Sequence, residues 1–467
     1  MSFIHLYPTF AAAIIVEGAP VLWPILAVLG IVVLFFRTLR RRGQQVSAFE
    51  LGVLYVGLVT SYAVVPFLGY VIGGLSFSPV SDFRLFQAQP LPTELAPIFW
   101  YYVLYLGAFC MGYLRVRQNI NANVPELVPC PRRLILVLIA SLFAIKIVFL
   151  FVNLVYGLGQ SDSYEESYLM YRGLPLVLQQ VLNHLNGMIF TLEILIMLLL
   201  VRNFHQYKRW ILGWVCFQIA SLFVTGVGSR TELLVILMAF GVSYHYWVRP
   251  IKMRVALIVG TVGLLLFMSL GIVRGLRELN TDNGINPLGY ANEFEIVLGN
   301  AYDISHIRTG GEAKDIFPQF YLSDFFNLVP QQFLPFKKID LAYWYVNGFY
   351  PDFAEGGGGL AFGAIPESML GLGWVDAIWR GALVGVVFAW LYRRVLNGKQ
   401  SIWSVGFYTW VLVFSYQCFR GTTFLLVPRA FYQFLSVVVW AKILLCILSI
   451  FQTDNNGRQI VPQAVSG

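Results

Sequence analysis

Apolar residues run along this chain in long unbroken blocks, parted by short basic loops. The blocks fall near 19–36, 48–75, 95–114, 134–157, 178–201, 211–227, 231–248, 255–274, 376–392, 402–419 and 430–451. A helix crosses the hydrocarbon core of a bilayer with about 20 apolar residues. A transmembrane β-barrel uses alternating strands of about 10 residues, which these continuous runs exclude. The pattern therefore predicts an all-α polytopic membrane protein with about eleven transmembrane helices. It also divides the chain. Residues 1–274 form an N-terminal transmembrane bundle of about eight helices, and 275–375 form an extracytoplasmic cap loop. Residues 376–451 supply the C-terminal transmembrane helices, and 452–467 a cytoplasmic tail. No internal repeat is visible.

Lys and Arg set the orientation, because they gather in cytoplasmic loops. Seventeen of them lie in five short loops, beginning with Arg37 to Arg42 and ending with Arg393, Arg394 and Lys399. Those loops are read as cytoplasmic. Segments 76–94, 158–177, 228–230, 275–375 and 420–429 then face outward.

The outward segment 275–375 breaks the hydrophobic rhythm for about a hundred residues. A loop of that length is functional or disordered. This one is rich in aromatics, and disordered segments are poor in them. A folded cap of short amphipathic or re-entrant helices is expected, with a hinge or close approach at Gly356–Gly359.

Composition agrees with the pattern. Of the 467 residues, 58% are hydrophobic and 12% charged, against about 45–50% and about 25% in soluble domains, so an ordinary soluble enzyme is excluded. The net charge of +8 is accounted for by the cytoplasmic loops, without nucleic acid. The five cysteines are scattered singly, which argues against a disulfide framework or a thiolate metal site. No HExxH, Walker or GxGxxG pattern occurs. No cofactor and no metal is therefore expected.

The candidate chemistry lies in outward arginines, of which the positive-inside rule predicts few. Arg172 is in "YLMYRG", Arg230 in "GVGSRTELL", Arg274 and Arg277 in "GIVRGLREL", Arg420 in "CFRGTTF" and Arg429 in "LVPRAF". Guanidinium groups recognise phosphate or carboxylate bidentately. The competing reading is snorkelling to headgroups or pairing with nearby acids. In "GVGSRTELL", Ser229 can cap the next helix and Arg230 sits in its first turn, an arrangement suited to an anion. Plain hairpin chemistry explains the same residues.

Several carboxylates and one imidazole are candidates for a base. Asp162, Glu165 and Glu166 share a face if helical, as helix-start acids or as ligands of a divalent ion. Asp303 and His306 lie three apart, and His306 is a candidate general base or an ordinary surface histidine. Glu367, in "IPESMLGLGW", returns the loop to the membrane and is a candidate functional carboxylate or a loop-end acid. Lys146, Glu193, Arg380 and Lys442 lie within apolar spans. Charges at the bilayer centre are costly, so these are expected to pair inside the bundle or to snorkel.

Together the short "GSRTELLVILMAF" hairpin, the long outer loop and the outward arginines resemble the O-antigen or polysaccharide repeat-unit polymerase family. The return segment "GGGGLAFGAIPESMLGLGWVDAIWRGALVGVVFAWLYRR" and "CFRGTTFLLVPRAFYQFL" resemble that family's acidic step and late arginine pair. The likeness covers roughly 220–440 and departs in one place: the family's acid often sits in a "GE" step, whereas here it is Pro366–Glu367.

The resemblance implies a fold like that of C-type glycosyltransferases, in the bacterial inner membrane with the long loop facing the periplasm. It implies polymerisation of undecaprenyl-diphosphate-linked oligosaccharide without a metal. The partners would be that lipid-linked oligosaccharide, membrane lipids and a polysaccharide chain-length regulator, with no nucleic acid. Arg230, Arg420 and Arg429 would hold diphosphates, Arg274 and Arg277 glycan or phosphate, and Glu367 or His306 would be the base. An O-antigen ligase, or a transporter or flippase of lipid-linked sugars, are the alternatives.

Overall fold

The computed structural model describes residues 19–42, 46–73, 90–117, 126–127, 132–156, 170–224, 230–256, 258, 260, 292–310, 316–355, 359–396 and 399–456. Its long helices are α1 (Ala19–Arg41), α2 (Leu51–Gly73), α3 (Pro92–Arg117), α4 (Arg132–Tyr156), α5 (Leu176–Arg202), α6 (Phe204–Val224), α7 (Arg230–Trp247) and α8 (Asn292–Gly310). Shorter ones follow: α9 (Gln319–Phe325), α10 (Leu341–Phe349), α11 (Pro351–Glu355) and α12 (Ala364–Leu370). The chain closes with α13 (Trp374–Leu396), α14 (Ile402–Phe414), α15 (Gln417–Arg420), α16 (Leu426–Arg429), a π-helical turn at Ala430–Leu435, and α17 (Ser436–Asn456).

Seven helices among the described residues are long and apolar enough to cross a membrane. The protein is a helical membrane protein, as the hydrophobic blocks predicted. Blocks 211–227 and 231–248 are helical as α6 and α7, but do not count among the seven. Block 255–274 lies almost wholly outside the described residues.

Block 402–419 is corrected. Its regular helix of 13 residues ends at Phe414, Ser415 and Tyr416 keep helical dihedrals into α15, and the chain leaves the helix at Gly421. The break is held by protein contacts. Ser415 Oγ donates to Leu412 O at 2.9 Å, and Gly421 O accepts the Gly363 N–H at 2.9 Å. Irregular backbone at membrane depth needs such partners, since lipid supplies none.

Local chemistry sets the helix ends. Glu94, three residues into α3, accepts the Leu91 N–H at 2.9 Å, the reciprocal half of a capping box, with Pro92 in the first helical position. Arg40 and Arg41, Arg115 and Arg117, and Arg393 and Arg394 close α1, α3 and α13, where the dipole favours cations. A parallel two-residue pairing, Glu126–Leu127 with Lys399–Gln400, joins two of the loops read as cytoplasmic and so places them together.

The tightest pair in the bundle is α3 against α13. A Cβ added at Gly381 would lie 2.3 Å from the Tyr105 carbonyl oxygen, and one at Gly385 2.3 Å from that of Phe109. Gly112 approaches the Ala382 carbonyl in the same way. Small residues let membrane helices touch backbone to backbone, where dispersion rather than the hydrophobic effect holds them. Helices α1 and α2 pack on this pair, and α5 carries α4, α7 and α14 on its other faces.

Where it is described, the segment read as a cap is built of α8 to α12 and the stretches between them. Its longest helix, α8, packs against α2, α3 and α12, with Val297, Leu298, Asn300, Ala301, Asp303 and Ile304 buried. In-span charges pair as expected. Lys146 of α4 meets buried Glu193 of α5 at 3.0 Å, and Arg380 is wholly enclosed by acids and rings. Lys442 is exposed, the snorkelling alternative. A pair that the hydrophobic pattern concealed lies at the other end of α3, where Arg117 Nη2 donates to buried Glu50 at 2.7 Å and Tyr113 OH donates to the same carboxylate at 2.8 Å.

Candidate functional site

The broken segment 415–429 organises the polar interior. Two clusters meet it, one acidic and one built of amides and arginine.

The acidic cluster centres on Arg380 of α13. Its Nε donates to Asp376 Oδ2 at 2.9 Å, one turn earlier on the same helix. Nη1 lies 2.7 Å from Glu367 Oε1, and Nη2 lies 3.4 Å from Asp324 Oδ2. Trp379, Tyr321 and Phe424 wall the guanidinium at 4.9, 5.5 and 5.5 Å from their ring centres. Arg380, Glu367 and Asp376 have no solvent exposure. Glu367 Oε2 accepts both the Thr423 N–H at 2.8 Å and its hydroxyl at 2.7 Å. Trp379 stacks on Phe424 at 5.9 Å. The cluster therefore grips residues 421–424, the link between Arg420 and Arg429.

Three carboxylates share one guanidinium here. Burial, reinforced by the negative charge of Glu367, pushes the Asp324 carboxyl well above the usual aspartate range, against the pull of Arg380. The folded protein thus keeps a proton that the unfolded chain gives up. Asp324 contributes stability below the ordinary aspartate pKa, and that contribution is lost as pH rises through its raised pKa. Thermal unfolding in detergent from about pH 5 to about pH 9 should show falling stability with a component that Asp324→Asn removes. An identical pH slope in the variant would refute the shared proton.

The second cluster lines an open cavity of about 410 Å³ between α5, α15 and the π-helical turn. Asn183, Asn186, Gln417, Arg429 and Gln433 supply its polar wall. Phe190 and Phe414 supply an apolar one, with ring centres 6.0 Å apart. Arg429 Nη1 donates to Gln417 Oε1. Arg420 stands near enough for its charge to act on Arg429. A fixed positive charge at a polar cavity in an apolar bundle, with a second guanidinium near it, suits an anion, and the amides beside it suit hydroxyl or carbonyl groups.

No family model matches the chain, and no curated protein or solved structure matches it.

The structure brings some predicted residues together and separates others. Arg420 lies near enough for its charge to act on Arg429. Glu367 touches their connecting segment through Thr423, but the arginine it meets is Arg380. His306 lies on α8, with Nδ1 2.9 Å from the Tyr302 carbonyl and Nε2 3.9 Å from Glu94 Oε1. Asp303, three residues earlier, is buried and accepts hydrogen bonds from Tyr345 and Tyr350. Arg172 donates to the Ala354 carbonyl at 3.3 Å and lies over the Tyr343 ring, tying its segment to α10 and α11. Arg230 begins α7, as its capping sequence predicted; its side chain lies outside the described residues. Arg274, Arg277, Asp162, Glu165, Glu166 and Gly356 to Gly358 lie outside them too.

Sequence reasoning missed the amides. Asn183 and Asn186 interrupt an apolar block, and Gln417 and Gln433 flank Arg420 and Arg429. A search for polar as well as charged residues inside spans would have found all four.

Proposed function

We propose that the protein polymerises undecaprenyl-diphosphate-linked oligosaccharide repeat units into O-antigen or a related surface polysaccharide. The transfer takes place on the periplasmic side of a bacterial inner membrane and needs no metal. The observation that carries this reading is the open polar cavity within the bundle, where Arg429 lines the wall and the charge of Arg420 acts on it.

A diphosphate leaving group gathers negative charge as its bond to the sugar breaks, and fixed guanidinium groups stabilise that charge without reorganising. The acceptor hydroxyl oxygen attacks the anomeric carbon. The bond from that carbon to the diphosphate oxygen breaks, and undecaprenyl diphosphate leaves with the electron pair. A base takes the hydroxyl proton.

His306 and Glu367 are the candidates for that base. His306 Nδ1 lies 2.9 Å from the Tyr302 carbonyl, and Glu94, 3.9 Å from Nε2, would stabilise an imidazolium. Both oxygens of Glu367 are engaged, one by Arg380 and one by Thr423. Glu367 is better suited to positioning the segment between the two arginines. Arg230, Arg274 and Arg277 remain candidates for further diphosphate or glycan contacts.

The test is reconstitution. Purified protein incubated with lipid-linked repeat units, with and without EDTA, should yield a ladder of products in both. Arg429→Ala and Arg230→Ala should each lose the ladder while the protein stays folded. If the folded wild-type protein makes no ladder from lipid-linked repeat units, weight moves to the ligase and transporter readings.

A further inference from the structure

One wall of the cavity is unused by the chemistry above. Asn183 and Asn186 stand one turn apart on α5, and Gln433 lines the same cavity from the π-helical turn. Among the described residues, these three carboxamides have no hydrogen-bond partner. Each offers two donors and an acceptor.

The backbone is shaped to present one of them. A π-turn is a rare departure from the α-helix and recurs at functional sites, because its extra residue re-aims side chains. Here it occupies Ala430–Leu435, directly after Arg429. Across the cavity Gly187 makes the room that Gln433 fills. A Cβ at Gly187 would lie 2.1 Å from Gln433 Cδ and 2.5 Å from Nε2. Two local features, a π-turn and a glycine, thus serve the same amide.

The ligand's chemistry follows from the lining. Arg429 keeps guanidinium donors beyond the one given to Gln417 and marks where an anion sits. Carboxamides pair with groups that both donate and accept, as sugar hydroxyls and N-acyl groups do. Phe190 and Phe414 offer an apolar face of the kind that the C–H side of a pyranose covers. The volume of about 410 Å³ falls within the roughly 300–1,000 Å³ of small-molecule sites.

We infer that Asn183, Asn186 and Gln433 form a sugar subsite, which holds the hydroxyl-bearing ring of a glycosyl phosphate while Arg429 holds its phosphate. The inference rests on the proposed function in one respect only, the reading of Arg429 as an anion site. In the polymerase the ring would be the sugar next to the diphosphate. A phospholipid headgroup with a hydroxylated phosphate shares part of this chemistry and is the source to be distinguished.

The experiment is ligand-observed saturation-transfer NMR on the full chain in phosphatidylcholine nanodiscs. N-acetylglucosamine 1-phosphate is the probe; inorganic phosphate and glycerol 3-phosphate are competitors. The sugar phosphate should give saturation transfer to its ring and acetamido protons, reduced at least about fivefold in Asn186→Ala, Gln433→Ala and Gly187→Ala, a change of about 1 kcal/mol. Gly187→Ala removes no polar atom, so its loss reports the placement of Gln433. Unchanged unfolding temperatures guard against a folding artefact, and Asn183 and Asn186 are exposed enough to be replaced safely.

Absence of any sugar phosphate signal overturns the subsite. So does a signal that Asn186→Ala and Gln433→Ala leave intact, or full displacement by equimolar glycerol 3-phosphate, which would assign the cavity to headgroups. Failure of the polymerase reading is separable. Amide-dependent binding in a protein that makes no ladder keeps the subsite and discards the polymerase. A ladder made at wild-type KM by Asn186→Ala and Gln433→Ala keeps the polymerase and discards the subsite.

Discussion

Arg380→Ala is expected to destabilise the folded protein by roughly 3–5 kcal/mol, the usual cost of removing one partner from a buried ion pair. Glu367 and Asp376 are fully buried. Without the guanidinium each keeps a charge, or takes up a proton, in a place that solvent does not reach. The aromatic wall of Tyr321, Trp379 and Phe424 also loses what it surrounds. Most of the loss reflects stranded charge rather than net attraction, so removing the charges together should recover it. Arg380→Met combined with Glu367→Gln and Asp376→Asn is expected to unfold closer to wild type than Arg380→Ala alone. Thermal unfolding in detergent measures both. If Arg380→Ala melts with the wild type, the cluster is not what holds the return of the long loop to the bundle.

Gly385→Leu should cost about 3 kcal/mol, the upper part of the range for overpacking a tight core. The new Cβ would meet Phe109 O at 2.3 Å and Tyr113 N at 3.0 Å. Both are backbone atoms of a helix, so neither can turn aside as a side-chain tip would. Relief requires α3 and α13 to separate along their whole contact. Gly385→Ala already places that Cβ and should show much of the effect; the longer side chain adds the remainder. Unfolding temperatures of both variants within a degree or so of wild type would mean that the two helices do not meet face to face.

The helices were legible because lipid imposes a simple demand, an apolar run closed by basic residues. That rule located α1, α3 and α13 and their terminal arginines. It also predicted that Lys146 and Glu193 would not stay alone. The end of the regular helix at Phe414 was hidden, because no proline or glycine stands there. The tertiary contacts nearby, Gly363 reaching the Gly421 carbonyl and Glu367 reaching Thr423, hold the chain where it leaves α15. The same is true of α8, whose polar residues read as an outer loop although its inner face, with Asn300 and Asp303, is buried among partners. Glu367 and Arg380 each stood out in the sequence, but their pairing did not, and Thr423, 56 residues from Glu367, gave no sign. The close approach of α3 and α13 depends on carbonyl positions, which hydropathy does not encode. The cavity amides went unread because attention to charge passes over neutral polar groups.

Pairing distance along the chain bears on how the protein enters the bilayer during synthesis. Asp376 and Arg380 are one turn apart, so α13 carries its counter-ion with it and reaches lipid with that arginine already matched. Glu50 has no such companion. Its partner, Arg117, lies 67 residues later at the end of α3. Until that helix has emerged from the ribosome, the acid beginning α2 must stay protonated, stay at the membrane surface, or be sheltered by the insertion machinery. The Glu50–Arg117 pair therefore closes only once α3 has been made, whereas the pair in α13 closes within its own helix.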